Sequence, residues 1–105
     1  MAQFDLYANP QPDSARFVPY VLDVQSPLID QLNTRLVVPL SRVGLQQARL
    51  PLSLCPVVDV AGEPLVLMPH LAAPILVRLM KKPVGSLAHR SAEIMGAMDA
   101  VLSGF

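Results

Sequence analysis

The residues best suited to proton transfer, nucleophilic attack or metal ligation are His70 in MPHL, His89 in SLAHR and Cys55 in LSLCPVV. A hydrolase needs a nucleophile or activated water, a base and a charge stabiliser that converge. No GxSxG, HExxH, CxxC or GxxxxGK pattern supplies them. One cysteine excludes an intramolecular disulfide, and with two histidines it makes a poor zinc set, so no metal and no cofactor are expected. Cys55 reads as core filler. Arg35, Arg42 and Arg49 with Asp23, Asp30 and Asp59 could still meet in space, and an arginine with an acid is the minimum for metal-independent RNA cleavage.

Composition narrows the partners. Eight acids balance eight bases with no block of like charge, which argues against a generic electrostatic grip on nucleic acid, and five aromatics without tryptophan offer little stacking surface. Apolar residues are 52% and charged ones 15%, a surplus of apolar surface that points to an oligomer. Prolines and charges interrupt every apolar run before it reaches membrane-spanning length. MAQFDLYANP lacks the basic region and apolar core of a secretory signal, so a soluble cytoplasmic protein is expected.

The length fits one domain, 1–105, with a β-rich part over 1–83 and a helix and tail over 84–105. Eleven prolines from Pro10 to Pro83 exclude long helices there. FDLY, YVLDVQ, TRLVVPL and PILVRL read as strands; in YVLDVQ, Val21, Asp23 and Gln25 share one side and Leu22 and Val24 the other. PVVDV and PLVLM flank Ala61, Gly62 and Glu63 as a hairpin. In SPLID, Leu28 and Ile29 either anchor a buried loop or form an exposed apolar contact. RVGLQQARLPLS is a helical turn or a loop.

After Pro83 the chain is rich in helix formers. Ser86 is the expected N-cap, and Leu87, Ser91, Ile94, Met98, Val101 and Phe105 make one stripe. Ala88, Ala92, Gly96 and Ala100 make a small, smooth face, with Asp99 and Ser103 alongside, suited to close packing on its own sheet, a second subunit or a partner. Met98 is a candidate for a dimer interface. The helix ends in DAVLSGF, with an acid where the macrodipole favours a base.

YVLDVQSPLID, TRLVVPL, LCPVVDVAGEPLVL and PVGSLAHRSAEI, then a final glycine and hydrophobe, run in order through nearly the whole chain. Together they resemble the CcdB toxins of type II toxin–antitoxin systems. The resemblance implies a mainly β fold with one C-terminal α-helix, an SH3-like antiparallel sheet or barrel akin to the Kid and MazF toxins, in a homodimer. It implies a protein inhibitor rather than an enzyme, one that binds the A subunit of DNA gyrase and traps the gyrase–DNA cleavage complex. A CcdA-like antitoxin would neutralise it, and the pair would repress its own operon, with operator DNA met only through the antitoxin. Carried over, the gyrase contacts fall on Ser103, Gly104 and Phe105, with Asp99 and Leu102 on the helix and Leu28 and Ile29 from the loop. Plasmid-borne members carry a tryptophan where this sequence has Ser103, and serine cannot stack on an arginine. A Kid- or MazF-like messenger-RNA nuclease and an antitoxin-binding remnant without gyrase activity are the alternatives.

Overall fold

Prolines break the first four-fifths of the chain into short extended pieces, which the computed structural model assembles into one antiparallel sheet under a C-terminal helix. It describes residues 2–26, 31–42 and 54–103. The strands are β1 (Asp5–Ala8), β2 (Tyr20–Asp23), β3 (Thr34–Arg42), β4 (Val57–Val60), β5 (Glu63–Leu67), β6 (Ala73–Leu76) and β7 (Gly85–Ser86), followed by α1 (Ser91–Ser103). Their order is β4-β5-β3-β2-β1-β7, and β6 also pairs with β3. Nine-residue β3 organises the rest, because β2 takes one of its edges while β5 and β6 follow one another along the other. The sheet curls into a half-barrel.

The predicted hairpin is present with a two-residue turn. Ala61 and Gly62 both have positive φ, +53° and +84°, the signature of a turn whose twist matches the flanking strands, and Glu63 already pairs with Val60. Gly62 adopts this region freely, whereas for Ala61 it carries a steric cost of about 1–2 kcal/mol.

Period-two alternation places apolar groups on both faces of the sheet. Leu6, Leu22, Val24, Val38, Leu40, Val58, Leu65 and Leu67 join Ile94 and Met98 of α1 in the main core. On the other face Tyr7, Val21, Val37 and Met80 form a second cluster. Asp23 and Arg35 are buried as well, 0% and 2% exposed, and bonded to each other. Arg35 Nε donates to Asp23 Oδ2 at 2.8 Å and its NH2 group to Oδ1 at 3.1 Å, a two-pronged pairing that fits the planar guanidinium.

Two boundaries differ from the sequence reading. The strand expected over PILVRL stops at Leu76, which pairs with the first residue of β3, so no partner strand remains beyond it; Val77–Leu79 turn as a 3-10 helix instead. The α-helix begins at Ser91 rather than just after Ser86. Gly85 and Ser86 pair with β1, and the Leu87 N–H donates to the Phe4 carbonyl at 2.9 Å, so sheet bonding overrides helix propensity up to that point. Ser86 is therefore not the N-cap: Leu87 takes that place before a 3-10 turn over Ala88–Arg90, and Ser86 Oγ accepts from the Ala88 N–H at 3.2 Å from one residue further out.

Three outcomes follow from these features. Ala61→Gly relieves the turn and should raise stability by about 0.5–1 kcal/mol, read as a rise in thermal midpoint of about 4–8 °C per kcal/mol. Arg35→Ala strands a buried carboxylate and should cost about 3–5 kcal/mol in urea unfolding, whereas replacing Asp23 and Arg35 together by apolar residues should cost far less. Burial, then the charges of Asp5 and Asp23, push the Tyr7 phenol above its ordinary 10.0 against the opposing pull of Arg35. Because the folded state holds that proton more tightly, its contribution is complete below about pH 10 and is lost as pH rises further; Tyr7→Phe should flatten this alkaline fall in stability.

Candidate functional site

The anchoring of α1 decides what its end presents. Ile94, Ala97 and Met98 are buried on one side, and α1 packs on the 3-10 turn Pro69–Leu71. At its start Arg90 NH1 donates to the Val57 carbonyl at 2.9 Å, which ties the helix to β4, and Arg90 also pairs with Glu93. The outward side is therefore fixed by the core, and carries Ala92, Met95, Gly96, Asp99, Leu102 and Ser103.

Met95, Asp99 and Leu102 stand four and three residues apart, so they share one exposed stripe. Met95 is 39% and Leu102 79% exposed, the latter the most open apolar side chain among the exposed large hydrophobics. Asp99 lies in the last turn, which has no basic residue, so its carboxylate faces the negative end of the helix without a local counter-charge. Ser103 Oγ donates to the Asp99 carbonyl at 2.6 Å, satisfying one of the carbonyls a helix end leaves open. Its hydroxyl is thus engaged within the helix, and what the last turn offers outward is Leu102 and the Asp99 carboxylate.

The residues expected at the binding end are placed unequally. Asp99, Leu102 and Ser103 come together on the final turn. Leu28, Ile29, Gly104 and Phe105 lie outside the described residues. The strands flanking 27–30 are held firmly: the Gln25 N–H donates to Asp23 Oδ1 at 3.0 Å, Arg35 donates to the Gln25 carbonyl, and the Leu36 N–H donates to Gln25 Oε1 at 3.0 Å. Met98, the dimer-interface candidate, is a core residue of the protomer at 8% exposure. Met95 escaped the sequence reading, although its spacing from Asp99 and Leu102 was visible there.

The groups considered for catalysis are dispersed. Asp23 and Arg35 are sealed together, and Arg42 pairs with Glu63 at 3.2 Å on the surface. Arg49 and Asp30 lie outside the described residues. Cys55 Sγ is 3.9 Å from His70 Nδ1, but burial raises the thiol's pKa, which favours the unreactive protonated form. Ser86, His89 and Asp59 line one shallow depression of about 340 Å³, yet no hydrogen bond joins them among the described residues. Among those residues no three histidine, cysteine or acidic side chains gather as a metal site, and no helix is long and apolar enough to cross a membrane.

A family model described as CcdB protein matches residues 3–104 of the 105. By that match the chain belongs to the CcdB family of toxin–antitoxin toxins.

Proposed function

We propose that this protein poisons DNA gyrase: it binds the gyrase A subunit through the end of α1 and traps the gyrase–DNA cleavage complex, and a CcdA-like antitoxin neutralises it. The observation that carries this reading is the Met95, Asp99 and Leu102 stripe on the helix of a CcdB family member. Leu102 has most of its surface to bury, and complete burial of a leucine is worth about 1.5–3 kcal/mol. Asp99 is electrostatically misplaced for the isolated helix and suited to an arginine or lysine on a partner. Leu28, Ile29, Gly104 and Phe105 are assigned to the same contact by resemblance alone.

No bond is made or broken by the toxin in this mechanism. It acts as a protein inhibitor, holding a normally transient state of gyrase, as a homodimer in the cytoplasm. With its antitoxin it represses the shared operon, and the antitoxin makes the DNA contacts. The absence of tryptophan at position 103 shifts the apolar share of the contact to Leu102 and Phe105. A nuclease reading is less well supported, since the Asp23 carboxylate and Arg35 guanidinium are consumed by each other in the interior.

The deciding experiment is a cleavage assay with purified gyrase, comparing the full chain with one lacking Ser103 to Phe105. Linear cleaved DNA with the full chain alone supports the reading; no trapped DNA with either folded protein overturns it and directs attention to RNA cleavage or to antitoxin binding alone. Leu102→Ser should weaken binding to the gyrase A subunit by about tenfold to thirtyfold without loss of fold. Asp99→Ala should leave stability unchanged or raise it by about 0.3–1 kcal/mol while weakening gyrase binding, and unchanged affinity would remove Asp99 from the contact.

A further inference from the structure

We propose that the exposed stretch from Arg78 to Val84 is a docking strip for an acidic peptide segment that carries apolar side chains. This inference is independent of the helix end and of gyrase. It begins with the cations. Arg35 is paired with Asp23, Arg42 with Glu63 and Arg90 with Glu93, while Arg16 lies over the Phe17 ring at 5.4 Å. Among the described residues, Arg78, Lys81 and Lys82 are the exposed lysines and arginines left without an ion pair, a side-chain hydrogen bond or a ring contact, and they fall within five positions of one another.

Adjacent Lys81 and Lys82 line the same depression, so each disfavours the other's charge until an anion arrives, and Arg78 adds a third positive charge close by in the chain. Lys81 and Lys82 line an open depression of about 720 Å³ together with Ala2, Asp5, Tyr7 and Pro83. Asp5 is the one acid in that lining, and its carboxylate already accepts from the Ala2 N–H at 3.2 Å. The strip is held in place by the sheet. Buried Met80 sits in the second apolar cluster and its N–H donates to Val77, while the Val84 N–H donates to the Leu6 carbonyl at 2.7 Å. Little backbone ordering is left for a partner to impose.

The apolar neighbours select the kind of anion. Leu79 is 46% and Val84 58% exposed, on either side of the lysines. A peptide with both acids and leucine-like side chains satisfies both features, whereas a phosphate backbone offers nothing to Leu79 or Val84. No residue from Arg78 to Val84 is aromatic, and Tyr7 in the lining of the depression is buried, so a base finds no open ring on which to stack.

The test is fluorescence anisotropy of a labelled peptide of about 16 residues composed of Glu, Asp and Leu, titrated with the full chain between about 50 and about 300 mM NaCl. Binding should weaken about tenfold over that range, and by at least about tenfold in the Arg78→Gln, Lys81→Gln, Lys82→Gln variant. Asp5→Asn should tighten it by about twofold to threefold, and Leu79→Ser with Val84→Ser should weaken it about threefold. Circular dichroism checks the fold, and the Lys81→Gln, Lys82→Gln pair serves if the triple variant unfolds. The proposal is overturned if the charge-depleted protein binds the peptide as well as the parent does. It is equally overturned if a peptide with serine in place of leucine binds as tightly, or if a DNA duplex of about 20 base pairs binds more tightly than the peptide.

Discussion

The Asp23–Arg35 pair is the interaction on which the molecule's layout rests. It lies between β2 and β3, where both groups are removed from water, and a buried charge is tolerable only while its partner stays in register. A slip of one residue by β2 in that pairing would send Val21 to the wrong face and carry Asp23 away from Arg35, leaving both charges unpaired. The same carboxylate also orders Gln25, so one ion pair specifies strand register and the direction in which the chain leaves β2. Hydrophobic burial supplies the larger stabilisation, but apolar contacts alone would accept more than one alignment.

From β3 the remaining architecture follows by sharing of edges. Its length lets β5 and β6 occupy one edge in sequence while β2 fills the other, and the resulting curvature creates a concave face for α1. The helix is held by Ile94, Ala97, Met98 and the Arg90 bond to β4, so its outward stripe is a consequence of core packing rather than of any local preference. The protein therefore displays an acid and a leucine on a rigid element. Rigid display lowers the ordering cost of binding, which suits a surface with few large side chains.

Much of this was legible in residue order. Alternation in YVLDVQ separated the two apolar faces correctly, and the hairpin was legible around Ala61, Gly62 and Glu63, although Glu63 already pairs with Val60 and the turn is one residue shorter than expected. The helix start was not legible, since the bond from Leu87 to Phe4 joins residues 83 positions apart and no local rule anticipates it. Asp23 and Arg35 could be named as an acid and a base with chemical potential, but only their burial showed that this potential is committed to structure. Met95 was passed over although its spacing from Asp99 and Leu102 was visible, because only packing shows which side of a helix of small residues faces inward. The ends of the expected contact, Leu28, Ile29, Gly104 and Phe105, rest on family likeness.

The pairing of β1 with β7 has a consequence for how the chain is made. The first strand's free edge is closed by Gly85 and Ser86, and the Phe4 carbonyl waits for Leu87. Such long-range closure adds loop entropy to the folding barrier and delays completion of the sheet until these late residues have been synthesised. A nascent toxin thus holds an open sheet edge through most of its translation, and the helix that carries its exposed stripe leaves the ribosome only after the residues that close that edge.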